Sequence, residues 1–440
     1  MSEKNRIETD ENLPEGWRRV RLGEVIKESK ERNINNNVKV VLTISNLFGF
    51  VDQTEFFGRN LSSVDTRNYK VVKKFCYAYN PARINVGSIA LNEQHEEAIV
   101  SPMYVVFKTE ASLIPKFFRY HTQMKIFNNR VINNTAGSVR ESLNFSRLVT
   151  FDFLLPPLHE QQKIAGILET VDNAIEKTDA IIEKYKRIKK GLMEDLLTGK
   201  IRLRPLSHSE AEGEESKTFD ASQPNQFVIG GKAFIGIPNT KWKDSPLGKI
   251  PEDWEVKKLG EVCDIFDSQR IPLDENYRAN IKGDIPYCGA TGIIDYINDY
   301  IFNGEFVLIA EDGGKYSRFS ETAYIMKGKF WPNNHVHIAC GEDGILNNDF
   351  LKYFINYEDI GSYISGSTRE KLNQQLLKNI LLPLPPLQEQ HLIAQVLSQV
   401  DSVIEKEQAY KEKLERIKKG LMEDLLTGKV RVNHLIKEGS

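Results

Sequence analysis

The chain has 440 residues, 40% hydrophobic and 27% charged, an ordinary globular composition with length for two or three domains. No apolar run approaches the ~18 residues needed to span a bilayer, and the start, MSEKNRIETDENLPEGW, lacks the apolar core of a signal peptide. The formal net charge of −2 advertises no nucleic acid for the chain as a whole. By segment the picture changes: residues 13–154 carry 20 Lys+Arg against 13 Asp+Glu, a net of +7, and residues 251–383 carry 13 against 21, a net of −8. Cys76, Cys263, Cys288 and Cys340 form no CxxC pair and read as free thiols of a reducing compartment, so a cytoplasmic location is expected.

In chain order, residues 13–155 read as a globular domain of short strand-like runs (Val38 to Val41, Tyr104 to Phe107) mixed with short amphipathic helices. Residues 156–202 read as one long helix, and 203–249 as a linker whose Ser207 to Asn225 portion is polar. A second globular domain is expected at 250–384 and a second long helix at 385–431. This division follows a tandem repeat. Leu155 to Arg202 and Leu384 to Arg431 share 32 of 48 residues at an offset of 229, and RIKKGLMEDLLTGK is identical in both. GSVRESLN (Gly137 to Asn144) matches GSTREKLN (Gly366 to Asn373) at that offset, and LPEGWRRVRLGEV (from Leu13) matches IPEDWEVKKLGEV (from Ile250) at 237.

Each helical block carries a seam in steps of three, four or seven. The first runs through Ile164, Leu168, Val171, Ile175, Ile182, Tyr185, Ile188, Leu192 and Leu196; the second through Ile393, Leu397, Val400, Ile404, Leu414, Ile417, Leu421 and Leu425. Pro156-Pro157 blocks helix before the first block, and Gly199 is placed to stop it. Gly191 and Gly420 sit inside the pattern at a cost of about 1 kcal/mol each relative to Ala, which a close helix–helix approach would explain. The simplest partner for each seam is the other copy, in an antiparallel, coiled-coil-like pair; docking on the chain's own domains is the alternative. The expected fold is therefore α+β: two similar domains joined by two long antiparallel helices, with internal pseudo-two-fold symmetry. Such a molecule suits two DNA half-sites at fixed separation.

The LPPLxEQ helix start, the long helix, the LLTGK exit, the LGEV domain start and the GSxRExL segment, all in duplicate and in order, resemble type I restriction-modification specificity subunits. The resemblance covers nearly the whole chain outside its first dozen residues and the linker. It implies two target recognition domains, each reading one half of a bipartite site in double-stranded DNA. It also implies helices that set the spacer and dock two DNA adenine methyltransferase subunits, with restriction/translocase subunits joining them. S-adenosylmethionine, ATP and Mg are then expected on those partners, with no cofactor, metal or membrane for this chain.

The residues agree with a reader that has no catalytic site. Asn80-Pro81-Ala82-Arg83 lacks the second proline and the aromatic residue of an adenine methyltransferase loop. No GxxxxGK[ST] phosphate loop is present. Glu311-Asp312-Gly313-Gly314-Lys315 reads as a turn, and His335, His337 and Cys340 read as structural for want of a fourth ligand. Ser138, Arg140, Ser367 and Arg369 recur in both copies, so they cannot read different sequences; they are phosphate contacts or structural. Candidate base readers lie where the copies differ: Arg32, Asn35, Arg130, Lys315 and Arg318. The competing readings are an unrecognised DNA methyltransferase or nuclease, which would itself bind S-adenosylmethionine, and a coiled-coil scaffold, which has no need of divergent domains.

Overall fold

The computed structural model describes residues 13–46, 49–53, 65–135, 142–205, 226–229, 232–364 and 371–436. Contacts divide the chain into two compact units: one runs to Asp179 and resumes at Tyr410, and the other is Ala180–Ala409. The boundary cuts both long helices, α1 (Leu158–Leu197) and α2 (Leu387–Leu426). Each unit thus holds the first half of one helix and the second half of the other. Each helix begins just past a Pro-Pro pair, and the Pro157 and Pro386 carbonyls accept the first helical amides. Each ends before a left-handed glycine, Gly199 (φ +70) or Gly428 (φ +76). These two positions also lack space: a Cβ on Gly199 would lie 2.3 Å from Pro251, and one on Gly428 2.7 Å from Pro14.

In the first unit the helix halves run antiparallel, because Lys418 pairs with Asp172 and Lys411 with Asp179, both at 2.7 Å. In the second unit Lys189 pairs with Asp401 at 2.6 Å. That is the Asp172–Lys418 pair displaced by 229 residues with the two helices exchanged. Ile164, Leu168, Ile393, Leu397 and Ile404 are buried along the seam, and Val171, Ile175, Leu192, Val400 and Leu421 are half-buried. Two seam positions depart from the sequence reading: Ile188 and Ile417 are 38% and 42% exposed. Gly191 and Gly420 also depart from it, since a Cβ at either would meet nothing within 4 Å and no close helix approach explains them. The helices dock on the globular domains as well as on each other. Ile164, Ala165 and Leu168 share one core with Trp17, Phe117, Tyr120, Leu425 and Leu426. Met193, Leu196, Leu197, Ile393 and Leu397 share another with Trp254, Phe350 and Tyr353. A helix end touched by both a domain and a second helix needs a wider apolar face than a two-helix seam provides.

Both domains carry the same four-strand order. In the first unit β1 (Ile26–Ser29), β2 (Cys76–Tyr79), β3 (Ile89–Leu91) and β4 (Val105–Thr109) form an antiparallel sheet ordered β1-β4-β2-β3. In the second, β5 (Cys263–Ile265), β6 (Phe302–Ala310), β7 (Ala323–Pro332) and β8 (Val336–Gly341) are ordered β5-β8-β6-β7, extended by strands Lys282–Gly289 and Gly292–Ile297. Period-two alternation divides the two faces. Tyr77, Tyr79 and Phe107 enter the core shared with the helices, Tyr77 stacked on Phe107 at 5.0 Å. Ala78 and Val106 enter a second cluster on the other face. Each fully buried aromatic contributes roughly 1.5–3 kcal/mol.

The segment read as a linker, 203–249, carries ordered strands. Ile201–Pro205, Lys232–Pro238 and Gln226–Ile229 form a three-stranded sheet, and Trp242–Ser245 pairs with Gly248–Pro251. Ser207 to Asn225 lie outside the described residues. Among the described residues no helix is long and apolar enough to cross a membrane, and all four cysteines are free.

Candidate nucleic-acid interface

The strand register gathers specific loops at one end of each sheet. In the first unit Ser29 pairs with Val106, and Tyr79 pairs with both Val105 and Ile89. The loops beginning at Lys30, spanning Asn80 to Ser88 and ending at Tyr104 therefore leave the sheet side by side. Leu143, which closes the duplicated GSxRExL motif, is bonded at this end. The amide of buried Leu143 donates to the Pro81 carbonyl at 2.9 Å, and the Leu143 carbonyl accepts the Tyr79 hydroxyl at 3.1 Å.

The second unit repeats this with different side chains. Ala310 pairs with Val336 and Ile309 with Ala323, so the loops after β6 and before β8 share an end with Asp267 to Arg270, just past β5. The amide of buried Leu372 donates to the Glu311 carbonyl at 2.8 Å, and the Leu372 carbonyl lies 2.7 Å from His337 Nε2. Asn80-Pro81 and Glu311-Asp312 are therefore equivalent cradles for one segment. Part of the acidic charge of this domain is paired locally. Glu311 is buried between Arg270 (2.5 Å) and Lys371 (2.9 Å). Burial pushes its carboxyl up, but the Arg270 and Lys371 bonds outweigh that and hold it below the usual range. Asp267 lies 2.6 Å from His337 Nδ1, and Asp312 2.6 Å from His335 Nδ1. At this end Asp267, Glu311 and Asp312 are bonded inward, while Lys315 and Glu321 are exposed.

The candidate DNA-contacting residues divide accordingly. Arg32 and Asn35 stand exposed on the loop after β1, and Arg32 donates to the Asn68 carbonyl at 2.8 Å. Arg130 stands on the helix Lys125–Thr135, and its guanidinium bonds the Asp152 carbonyl. Arg318 belongs to the loop after β6, but its guanidinium pairs with Glu194 of α1 at 2.8 Å and stacks on Tyr357 at 4.4 Å. Ser138, Arg140, Ser367 and Arg369 lie outside the described residues; the cradles at Leu143 and Leu372 locate only the ends of their segments.

The sequence reading passed over the residues that fasten helices to domains. In the first unit Arg431, past the end of α2, bonds Glu160 at the start of α1 at 3.0 and 2.5 Å, and the Trp17 indole donates to the same carboxylate at 3.3 Å. In the second unit Arg202 bonds Glu389 at 2.6 and 2.7 Å and Asp253 at 2.8 Å, with the Trp254 indole 3.0 Å from Glu389. Gln161 bonds the Ile114 amide and the Ser112 and Pro156 carbonyls; Gln390 does the same with Asn347, Ile345 and Pro385. Tyr120 and Tyr353 donate to Asp172 and Asp401 at 2.9 and 2.7 Å. Identity at the two offsets was the available signal for Trp17 and Trp254, Glu160 and Glu389, Gln161 and Gln390, Asp172 and Asp401, and Arg202 and Arg431; Asp253, which falls on Gly16, carried none.

Comparison with known proteins agrees with this duplicated arrangement. The family model described as "Type I restriction modification DNA specificity domain" matches residues 14–186 and again 251–416. The chain is 26% identical over 458 residues to the type I restriction enzyme MjaVIII specificity subunit of Methanocaldococcus jannaschii, covering 96% of this chain and 95% of that protein. A provisionally named type I restriction enzyme specificity subunit of Haemophilus influenzae is 40% identical over 153 residues, which span 39% of its length. The fold is like that of the type I restriction-modification S subunit from M. genitalium, with a TM-score of 0.58 and 13% identity over 96% of this chain and 98% of that one. With two copies of its domain covering most of the sequence, the chain belongs to the type I restriction-modification specificity subunits.

Proposed function

We propose that this chain is the non-catalytic sequence reader of its complex, each unit applying its sheet-end loops to one half of a bipartite site in double-stranded DNA. The supporting observation is the duplicated cradle: Leu143 and Leu372, the repeated leucines of one motif, are bonded to loops that differ between the copies. Shared residues suit phosphate, and divergent loops suit base edges. The helices set the spacer and dock two adenine methyltransferase subunits. Arg187, Ile188 and Gly191, repeated as Arg416, Ile417 and Gly420, are identical and exposed, although nothing within their own unit requires an exposed isoleucine or a helical glycine there. An external partner with two equivalent footprints supplies the reason. S-adenosylmethionine, ATP and Mg belong to the methyltransferase and restriction/translocase partners.

The test is co-expression with a cognate methyltransferase and genome-wide mapping of methylated adenines. Replacing the loop after β1 should change one half-site only, and replacing the loop after β6 the other only. Methyl transfer by the purified chain alone, or both half-sites changing together, would refute the reading.

A further inference from the structure

The two most exposed large apolar side chains among the described residues are Ile34, at 70%, and Met103, at 67%, and both sit on loops of the same sheet end. Ile34 has an image. At the offset of 237 that relates the two domain starts it falls on Ile271, which is 51% exposed on the loop after β5. An exposed isoleucine alone needs no explanation. One that recurs at the tip of a rigidly held loop in two otherwise divergent domains does.

Both loops are built to hold their backbone still. In the first, buried Asn33 donates to the Val38 carbonyl at 3.0 Å and to Thr66 Oγ1 at 3.2 Å, and accepts the Val38 amide at 3.1 Å. Asn36 completes the turn in the left-handed region at φ +53, its amide bonded to the Asn33 carbonyl at 2.8 Å. In the second, the Ile271 carbonyl itself accepts the Trp331 indole N–H at 2.6 Å, and the Leu273 amide donates to the Tyr287 hydroxyl at 3.1 Å. The anchoring chemistry is unrelated, yet both designs present an isoleucine outward. Presentation on a fixed backbone reduces the ordering cost of contact. Exposed Lys30, Arg32 and Lys39 adjoin the first tip; in the second unit Lys315 is exposed at the same sheet end, together with Asp274, Glu275 and Glu321. An apolar point on a sheet end that carries exposed cations suits a polyanion with an apolar interior, and duplex DNA is that partner.

We propose that Ile34 and Ile271 are equivalent apolar wedges, each pressed into the base stack of its half-site. This rests on the reading that these sheet ends face DNA. The residues after each isoleucine differ, Asn35-Asn36-Asn37 in one domain and Pro272-Leu273-Asp274 in the other, so base choice changes while the wedge stays. A contact common to both domains cannot be a reader of different bases, which favours bearing on a base step over recognising a thymine methyl group.

The test uses the complex assembled with its methyltransferase subunits, on cognate duplexes carrying single mismatches at successive steps. A wedge binds a loosened step more tightly, so the wild type should gain affinity at one step in each half-site. Ile34→Ala should lose the gain in one half-site and Ile271→Ala in the other, and each should weaken binding of the matched duplex about tenfold. Melting temperatures should not change, because both side chains are exposed. Absence of any mismatch gain in the wild type overturns the wedge. So does a scan replacing thymine by uracil in which one missing methyl group reproduces the alanine loss. The double variant Lys30→Ala with Arg32→Ala separates this from the broader reading. Weaker, less salt-sensitive binding with unaffected isoleucine variants removes only the wedge; unchanged binding removes the assignment of this sheet end to DNA.

Discussion

Arg431→Ala is the most direct probe of how each helix is fastened. The Glu160 side chain is 1% exposed and holds two bonds from Arg431, at 3.0 and 2.5 Å, and one from Trp17 at 3.3 Å. Without the guanidinium the carboxylate remains buried with one long indole bond. Breaking a buried ion pair from one side costs about 3–5 kcal/mol. Arg431 is itself 25% exposed, so water can partly replace it, and the lower end, about 3 kcal/mol, is expected. The double variant Glu160→Gln with Arg431→Ala leaves no buried charge and should be less destabilised than Arg431→Ala alone, by roughly 1–2 kcal/mol. Urea unfolding of the purified chain, followed by circular dichroism at pH 7, gives both values. A neutral Arg431→Ala, or a double variant at least as unstable as the single, would refute a buried charge held by Arg431. Arg202, bonded to two carboxylates, should behave in the same direction in its own unit.

Ile188→Asp with Ile417→Asp should abolish methyltransferase co-purification at a cost to chain stability of about 2 kcal/mol, since 38% and 42% of the two side chains are already exposed. Ile175→Asp with Ile404→Asp should instead cost several kcal/mol, since Ile404 is buried and Ile175 half-buried along the seam; equal effects of the two pairs in urea unfolding would contradict the division. His121 is half-buried with its Nε2 enclosed and unpartnered, and burial pushes its imidazole down from 6.5 to about 3. The folded state stays neutral while the unfolded chain takes up a proton below 6.5. Stability from this group is therefore complete above 6.5 and lost at about 1.4 kcal/mol per pH unit from there toward 3. His121→Phe should flatten that slope, read as the urea midpoint at pH 7 and pH 5. Paired four-residue insertions after Ala180 and Ala409 preserve antiparallel register and add ~6 Å, so the methylated sites should gain roughly two base pairs of spacer with unchanged half-sites; altered half-sites would sink the ruler.

The sequence by itself determined the duplication, the two long helices and most of the seam, because these follow from local periodicity and identity at a fixed offset. Pro156-Pro157 and Gly199 mark helix ends through backbone sterics that need no tertiary partner. Only the tertiary structure decided that Ile188 and Ile417 face outward, since a heptad pattern cannot distinguish a side chain facing a helix from one at the edge of that contact. Only it showed Arg318 turned to Glu194, and Glu311 held between Arg270 and Lys371, pairings made across 41 to 124 residues of chain. The loops at the sheet ends became a site through strand register. Ser29, Tyr79 and Val105 are neighbours only because β1, β2 and β4 are hydrogen-bonded, and nothing local to any of the three dictates that.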